Sequence, residues 1–190
     1  SHLAACQAWN PDVIRVSGTC RNCNFVTLNI IIAIFGRIDM KKIAIIGGGA
    51  SGLVAAIAAA RTNPQAQILI YEKKDSAGKK ILATGNGRCN LTNKDMNASY
   101  FHSDNLSVVE EVLQKFGYED TIAFFTSLGL LTKARGNYVY PYSDQASTVL
   151  DLLKSELDRL HVKITTDVTV TGIRPTSHGF TVLTDRQKQK

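Results

Sequence analysis

Six successive residues, Gly47-Gly48-Gly49-Ala50-Ser51-Gly52, have the composition and spacing of a turn that seats a pyrophosphate. Gly47 makes the tight turn, Gly49 lets the backbone approach the phosphates, and Gly52 lets the following helix pack closely on the preceding strand. Beside them, Ala50 and Ser51 carry the first free N–H groups of that helix, which face an anion. An acid completes the constellation, because Glu72 lies 20 residues after Gly52, at the distance from which a carboxylate accepts hydrogen bonds from a ribose. The competing reading is a plain glycine turn and a surface glutamate.

Positioning these groups requires a strand, a helix and a second strand. Ile43-Ala44-Ile45-Ile46 is an apolar run of strand length, an alanine-rich helix follows the glycines, and Ile68-Leu69-Ile70-Tyr71 ends directly at Glu72. The order strand, turn, helix, strand, acid favours dinucleotide binding over the plain turn. Residues 78–93 then form a second cluster, rich in glycine and polar groups, which includes Gly87, Arg88, Cys89 and Asn90. A nicotinamide-binding βαβ unit has no need of such a loop directly after the ribose acid. A flavin has to be gripped along its length, so the second loop favours FAD over NAD. Lys73, Lys74, Lys79 and Lys80 surround the proposed phosphate site; attraction of an anionic cofactor, which would engage Lys73 and Lys80, and a merely solvated loop fit them equally well.

At Gly87-Arg88-Cys89-Asn90-Leu91-Thr92-Asn93, together with the first glycine turn, the sequence resembles the aminoacetone-oxidase-like or BaiN-like FAD-binding oxidoreductases. The resemblance runs from about Met40 to about Asp185. It implies an α/β, Rossmann-like FAD-binding fold: a parallel sheet flanked by helices, with an antiparallel β-meander crossover. It also implies that Val170 lies at the adenine end of the cofactor, and that Pro141, Ser143 and Ala146 lie near the flavin. The activity implied is that of an NAD(P)/FAD-dependent oxidoreductase acting on a small organic substrate, with NAD(P)H as a candidate electron donor. Members of the family continue beyond the point matched by Lys190, so residues 40–190 are expected to be a FAD-binding domain incomplete at its C-terminus.

Composition agrees with a soluble α/β protein, and the cytoplasm is the expected compartment. The net charge of +6 is spread along the chain, and no stripe of Lys and Arg interleaved with aromatics points to nucleic acid. Residues 1–39 read differently from the rest: they hold three of the four cysteines, the single Trp and an apolar run from Phe25 to Phe35. That run is too short to span a bilayer and lacks the flanks of a secretory signal. Met40-Lys41-Lys42 resembles a natural start, so this stretch is expected to be an extension outside the core fold. His2, Cys6, Cys20 and Cys23 offer a zinc set, but one Cys-x-x-Cys without a second compact pair argues for scattered thiols and no metal.

Downstream, Val108, Val109, Val112, Leu113 and Phe116 recur at helical spacing up to Gly117, and a second helix fits residues 121–128. Ser143 is expected to cap a helix over residues 144–160. Period-two alternation then marks strands near 162–165, 168–173 and 180–183. The catalytic residues are unknown: His102, His161 and His178 are isolated, and Cys89 reads as a small buried thiol more readily than as a redox partner. Two alternatives stay open: a truncated, non-catalytic dinucleotide-binding module, and the NAD(P)-binding half of a dehydrogenase.

Overall fold

The computed structural model describes residues 41–186 and, of the preceding stretch, the backbone of three strands: β1 (Gln7–Ala8), β2 (Val13–Val16) and β3 (Ile30–Phe35). The centre of the fold is built by three parallel strands. In β4 (Lys42–Ile46) the residues Ile43, Ala44 and Ile45 are all buried, the pattern of a strand covered on both faces. β4 pairs in parallel with β5 (Gln67–Tyr71), and β5 with β9 (Lys163–Thr165). The helix α1 (Ala50–Thr62) makes the crossover between β4 and β5, and its run of alanines combines high helix propensity with a thin side-chain layer against the sheet.

A second helix, α5 (Ala146–Arg159), packs beside α1 and contributes Val149, Leu150, Leu153 and Leu157 to the core. Ile45, Leu53, Ile57, Ile70 and Leu157 are wholly excluded from solvent. Truncating any of them to alanine opens a cavity of the kind that costs about 2 to 5 kcal/mol. Polar groups tie three helices together at one end, where Arg61 of α1 bonds both Glu156 of α5 (2.9 Å) and Ser127 of α4 (Tyr118–Ser127; 3.0 Å).

Between β5 and α5 the chain makes α2 (Lys79–Ala83), β6 (Thr92–Asn93), α3 (Leu106–Lys115), α4, and the strands β7 (Thr132–Arg135) and β8 (Tyr138–Pro141). These last three strands form a separate antiparallel sheet in the order β6-β8-β7. β9 is followed by an antiparallel hairpin, β10 (Val170–Thr176) and β11 (Gly179–Thr184), whose strands lie where the alternating pattern marks them.

Four details differ from the sequence reading. The helix expected over 121–128 begins three residues earlier, and Gly117 opens α4 rather than terminating α3: its N–H donates to Asp120 Oδ2 at 2.8 Å. The last helix starts at Ala146, because Asp144 lies in the left-handed region at φ +56°, which no helix accommodates. Ser143 therefore caps nothing; its hydroxyl accepts from Gln145 N–H (3.3 Å) and bonds the Thr148 hydroxyl (2.9 Å), closing the turn ahead of the helix. The fourth difference concerns the extension. Its β3 pairs antiparallel with β4, opposing Ile32 to Ile45 and Ile34 to Ile43, so the six-stranded sheet runs β1-β2-β3-β4-β5-β9. Weighed only as a membrane span or a signal, the run ending at Phe35 conceals a third possibility: a β-branched segment that satisfies the open N–H and C=O groups along the β4 edge. His2, Cys6, Cys20 and Cys23 lie outside the described residues.

Candidate functional site

In the turn after β4, Gly48 and Gly52 sit where a side chain has no room, and Gly47 where the backbone favours glycine. Gly47 has φ +99°, a conformation glycine adopts without penalty, and donates its N–H to Tyr71 O at 2.8 Å. A Cβ on Gly48 would come within 2.8 Å of Ala77 Cβ and 3.2 Å of Glu72 Cβ, and one on Gly52 would collide with the carbonyl oxygen of Gly47. The space beside Gly47 itself is open, with no atom within 4 Å of a built Cβ. Gly49 precedes α1 with no side-chain cap, and no acidic residue occupies the first helical turn. The N-terminal N–H groups of α1, among them those of Ala50 and buried Ser51, thus form the uncapped positive end of a 13-residue helix.

Glu72 is locked in place from three sides. Its Oε2 accepts from Gly48 N–H at 2.7 Å and its Oε1 from Lys74 N–H at 2.8 Å. Its own N–H donates to Thr165 O at 2.8 Å, while its carbonyl accepts from Val168 N–H at 3.0 Å. Each carboxylate oxygen keeps a further lone pair, so two hydroxyl donors can still be received. A cradle of glycines, a bare helix start and a carboxylate fixed beside it fit the pyrophosphate and ribose of a dinucleotide. Val168 sits against Glu72, and Val170 follows it half-buried at the start of β10.

The second glycine cluster is joined to the first, because Gly78, at φ +79°, donates its N–H to Gly48 O at 2.7 Å. Gly78 is the first residue of the 78–93 cluster, and its signal in the sequence is a glycine immediately before a helix. From α2 the chain enters a tight loop in which Gly85, Asn86, Gly87 and Cys89 all have positive φ. This loop is stitched to β8: Leu91 N–H donates to Val139 O at 2.8 Å, and the Asn90 amide nitrogen donates to Thr92 O (3.0 Å) and Val139 O (3.2 Å). Arg88 is half-buried in it. Burial pushes the Cys89 thiol up from its ordinary pKa, against a hydrogen bond with Thr84, so this group rests as a neutral thiol.

The structure thus brings together Gly47, Gly48, Gly52, Glu72, Gly78 and Val168, with the 85–91 loop docked on β8 at the far end of α2. Lys73 and Lys80 are exposed, and Lys79 forms an ion pair with Asp75. His102, His161 and His178 are exposed as well. Among the described residues no group of three or more His, Cys, Asp or Glu could hold a metal, and no helix is long and apolar enough to cross a membrane.

Comparison with known proteins agrees with this geometry. Residues 41–190 match the family model described as the HI0933-like protein Rossmann domain. Over 149 residues, 78% of this chain, the sequence is 56% identical to a 3-dehydro-bile acid delta(4,6)-reductase of Clostridium scindens, of which the match covers 36%. It is 26% identical over 138 residues to a ribosomal RNA dihydrouridine synthase of Escherichia coli, covering 73% of this chain and 34% of that protein. The chain therefore spans about a third of the length of the curated relatives it matches. Among solved structures, THI4 of Thermovibrio ammonificans aligns with a TM-score of 0.45 at 18% identity, over 76% of this chain and 45% of the other. With the family model matched from Lys41 to the last residue, over the stretch that carries the turn, the acid and the second loop, the chain belongs to the HI0933-like family of FAD-binding Rossmann domains.

Proposed function

We propose that this chain is the FAD-binding part of a flavin-dependent oxidoreductase that works as a reductase. The observation that carries the reading is the fixed carboxylate of Glu72 on Gly48 N–H, set beside the uncapped start of α1 and linked through Gly78 to the second loop. In this reading Gly47, Gly49, Ala50, Ser51 and Gly52 receive the pyrophosphate and Glu72 the ribose hydroxyls. Val170 borders the adenine, Lys73 and Lys80 attract the anion, and Gly87, Arg88, Cys89 and Asn90 lie along the flavin. When bound, FAD supplies the electron chemistry, and the protein holds and orients it. NAD(P)H is the proposed electron donor. The direction of the reaction is suggested by the relatives, one named a reductase and the other a synthase of a dihydro-nucleoside. A 3-dehydro-bile acid is accordingly the first small-molecule substrate to assay. The proposed compartment is the cytoplasm, where a free thiol such as Cys89 stays reduced.

The reading is tested by colour and titration. A folded chain that binds FAD and releases it as the chromophore on denaturation supports it; a folded chain that binds NAD(H) and no FAD overturns it. Glu72→Ala is expected to weaken FAD binding by about 1.5 to 3 kcal/mol, the worth of a hydrogen bond to a charged group. Unchanged affinity in a fluorescence titration would return Glu72 to a structural role. Residues 40–190 are proposed as the sufficient cofactor-binding unit, so a chain beginning at Met40 is expected to stay soluble and bind FAD with unchanged affinity. Aggregation of that chain would show that covering the β4 edge with β3 is part of the core.

A further inference from the structure

Asp144 stands where the chain leaves β8 and turns into α5. Its backbone adopts φ +56°, a region that Asp and Asn tolerate better than most residues, and its N–H closes the turn by donating to Pro141 O at 3.0 Å. The two carboxylate oxygens have unequal surroundings. Oδ2 takes both cations of β7, Lys133 Nζ and Arg135 Nη2, the latter at 2.7 Å. Oδ1 is buried and, among the described residues, receives no donor. Burying a carboxylate oxygen without a donor is costly and uncommon, so a partner is called for.

The cations on β7 are committed to the other oxygen and to aromatic faces: Lys133 sits over the Tyr142 ring (5.3 Å) and Arg135 over Tyr140 (5.9 Å). The remaining cation is Arg88. It is half-buried, and no hydrogen bond engages its guanidinium among the described residues. The loop carrying it is docked on the strand that leads to Asp144: Leu91 N–H bonds Val139 O, and a Cβ on Gly85 would lie 3.3 Å from Tyr140 Cε1. The positive charge of Arg88 already acts on Asp144, adding to the Lys133 hydrogen bond and the Arg135 charge that hold this carboxyl below the usual range.

We propose that Asp144 is a positioning residue for the second glycine loop: its unengaged Oδ1 takes the Arg88 guanidinium and locks the loop against β8. A guanidinium presents five donors in a planar fork, so Arg88 can hold this oxygen with one edge and keep donors for the cofactor. The cluster then carries three cations on one carboxylate, a net positive charge beside the loop. The consequence for the cofactor rests on the FAD reading above; the pairing of Asp144 with Arg88 does not.

The test therefore has a readout without FAD and one with it. In the cofactor-free full chain, the Arg88 Nε–H resonance, assigned through Arg88→Lys, is expected to exchange slowly with water and to lose that protection in Asp144→Asn. Asn keeps the left-handed turn, and Asp144→Gly, which adopts φ +56° freely, serves as the second variant if Asn disturbs folding. In FAD titrations Asp144→Asn is expected to weaken binding about fivefold, the upper end for a partly exposed ion pair. That effect should vanish when Arg88 is already alanine. An Arg88 resonance indifferent to Asp144, or the same fivefold loss in the Arg88→Ala background, would overturn the proposal. A wild type that binds no FAD but whose Arg88 resonance responds to Asp144→Asn would uphold the pairing and sink the flavin reading.

Discussion

Gly49→Val is expected to yield a folded chain without measurable FAD binding, whereas Gly52→Val is expected not to fold at all. The two glycines are separated by three positions and fail for different reasons. Gly52 lies in the first turn of α1, where a Cβ would run into the carbonyl oxygen of Gly47. Neither side can retreat, since Ile45 on the strand and Leu53 and Ile57 on the helix are wholly buried. Forcing helix and strand apart empties that interface, a penalty beyond the roughly 4 to 5 kcal/mol that marks exceptional substitutions and comparable with the total stability of a small domain. Gly49 has φ −76° and ψ −178°, which any residue adopts, and is only half-buried. Valine there loses the preference of glycine for the position before a helix, about 1 kcal/mol, and puts a branched side chain where the pyrophosphate should approach. Circular dichroism separates the two outcomes. A cooperative melt of Gly49→Val together with wild-type flavin content would show that the phosphates do not lie over this turn.

The parts of this architecture that were readable before the structure are those in which local chemistry and tertiary role coincide. Gly47 to Gly52 had to be a turn because only glycine satisfies φ +99° at one end and the helix-to-strand contact at the other. Glu72 could be found by counting, since the length of the intervening helix and strand sets the interval. The period-two alternation of residues 168–173 and 180–183 announced two strands, and these pair as an antiparallel hairpin. What stayed hidden depends on contacts distant in sequence. No local signal says that Gly78 will bond Gly48, or that β8 will carry the loop at Arg88. Asp144 looked like the first residue of a helix, but its N–H closes a left-handed turn onto Pro141 O and its carboxylate meets the cations of β7, which lie 9 to 11 residues away in sequence. The pairing of β3 with β4 was missed for a related reason: an apolar run advertises burial but not the strand edge that will cover it.

Arg88→Ala is expected to have the largest effect of any substitution in the second loop. Arg88 is half-buried in a loop shaped by four residues of positive φ and by the bond of Leu91 N–H to Val139 O. A charge-assisted hydrogen bond made from this position is worth about 1.5 to 3 kcal/mol, so FAD affinity should fall by roughly 10- to 150-fold. The variant should also shift the flavin midpoint potential downwards, because removing a positive charge disfavours the form with the added electrons. Arg88→Lys separates charge from geometry: it should restore most of the potential but little of the affinity, since an ammonium cannot reproduce the planar fork. Both variants are best measured in a protein carrying the length that the relatives have beyond this stretch, by FAD titration and by equilibration with a reference dye. Wild-type affinity and potential in Arg88→Ala would remove this residue from the flavin. A loss of affinity with no change in potential would place its guanidinium on the pyrophosphate, within reach of the anion but away from the ring.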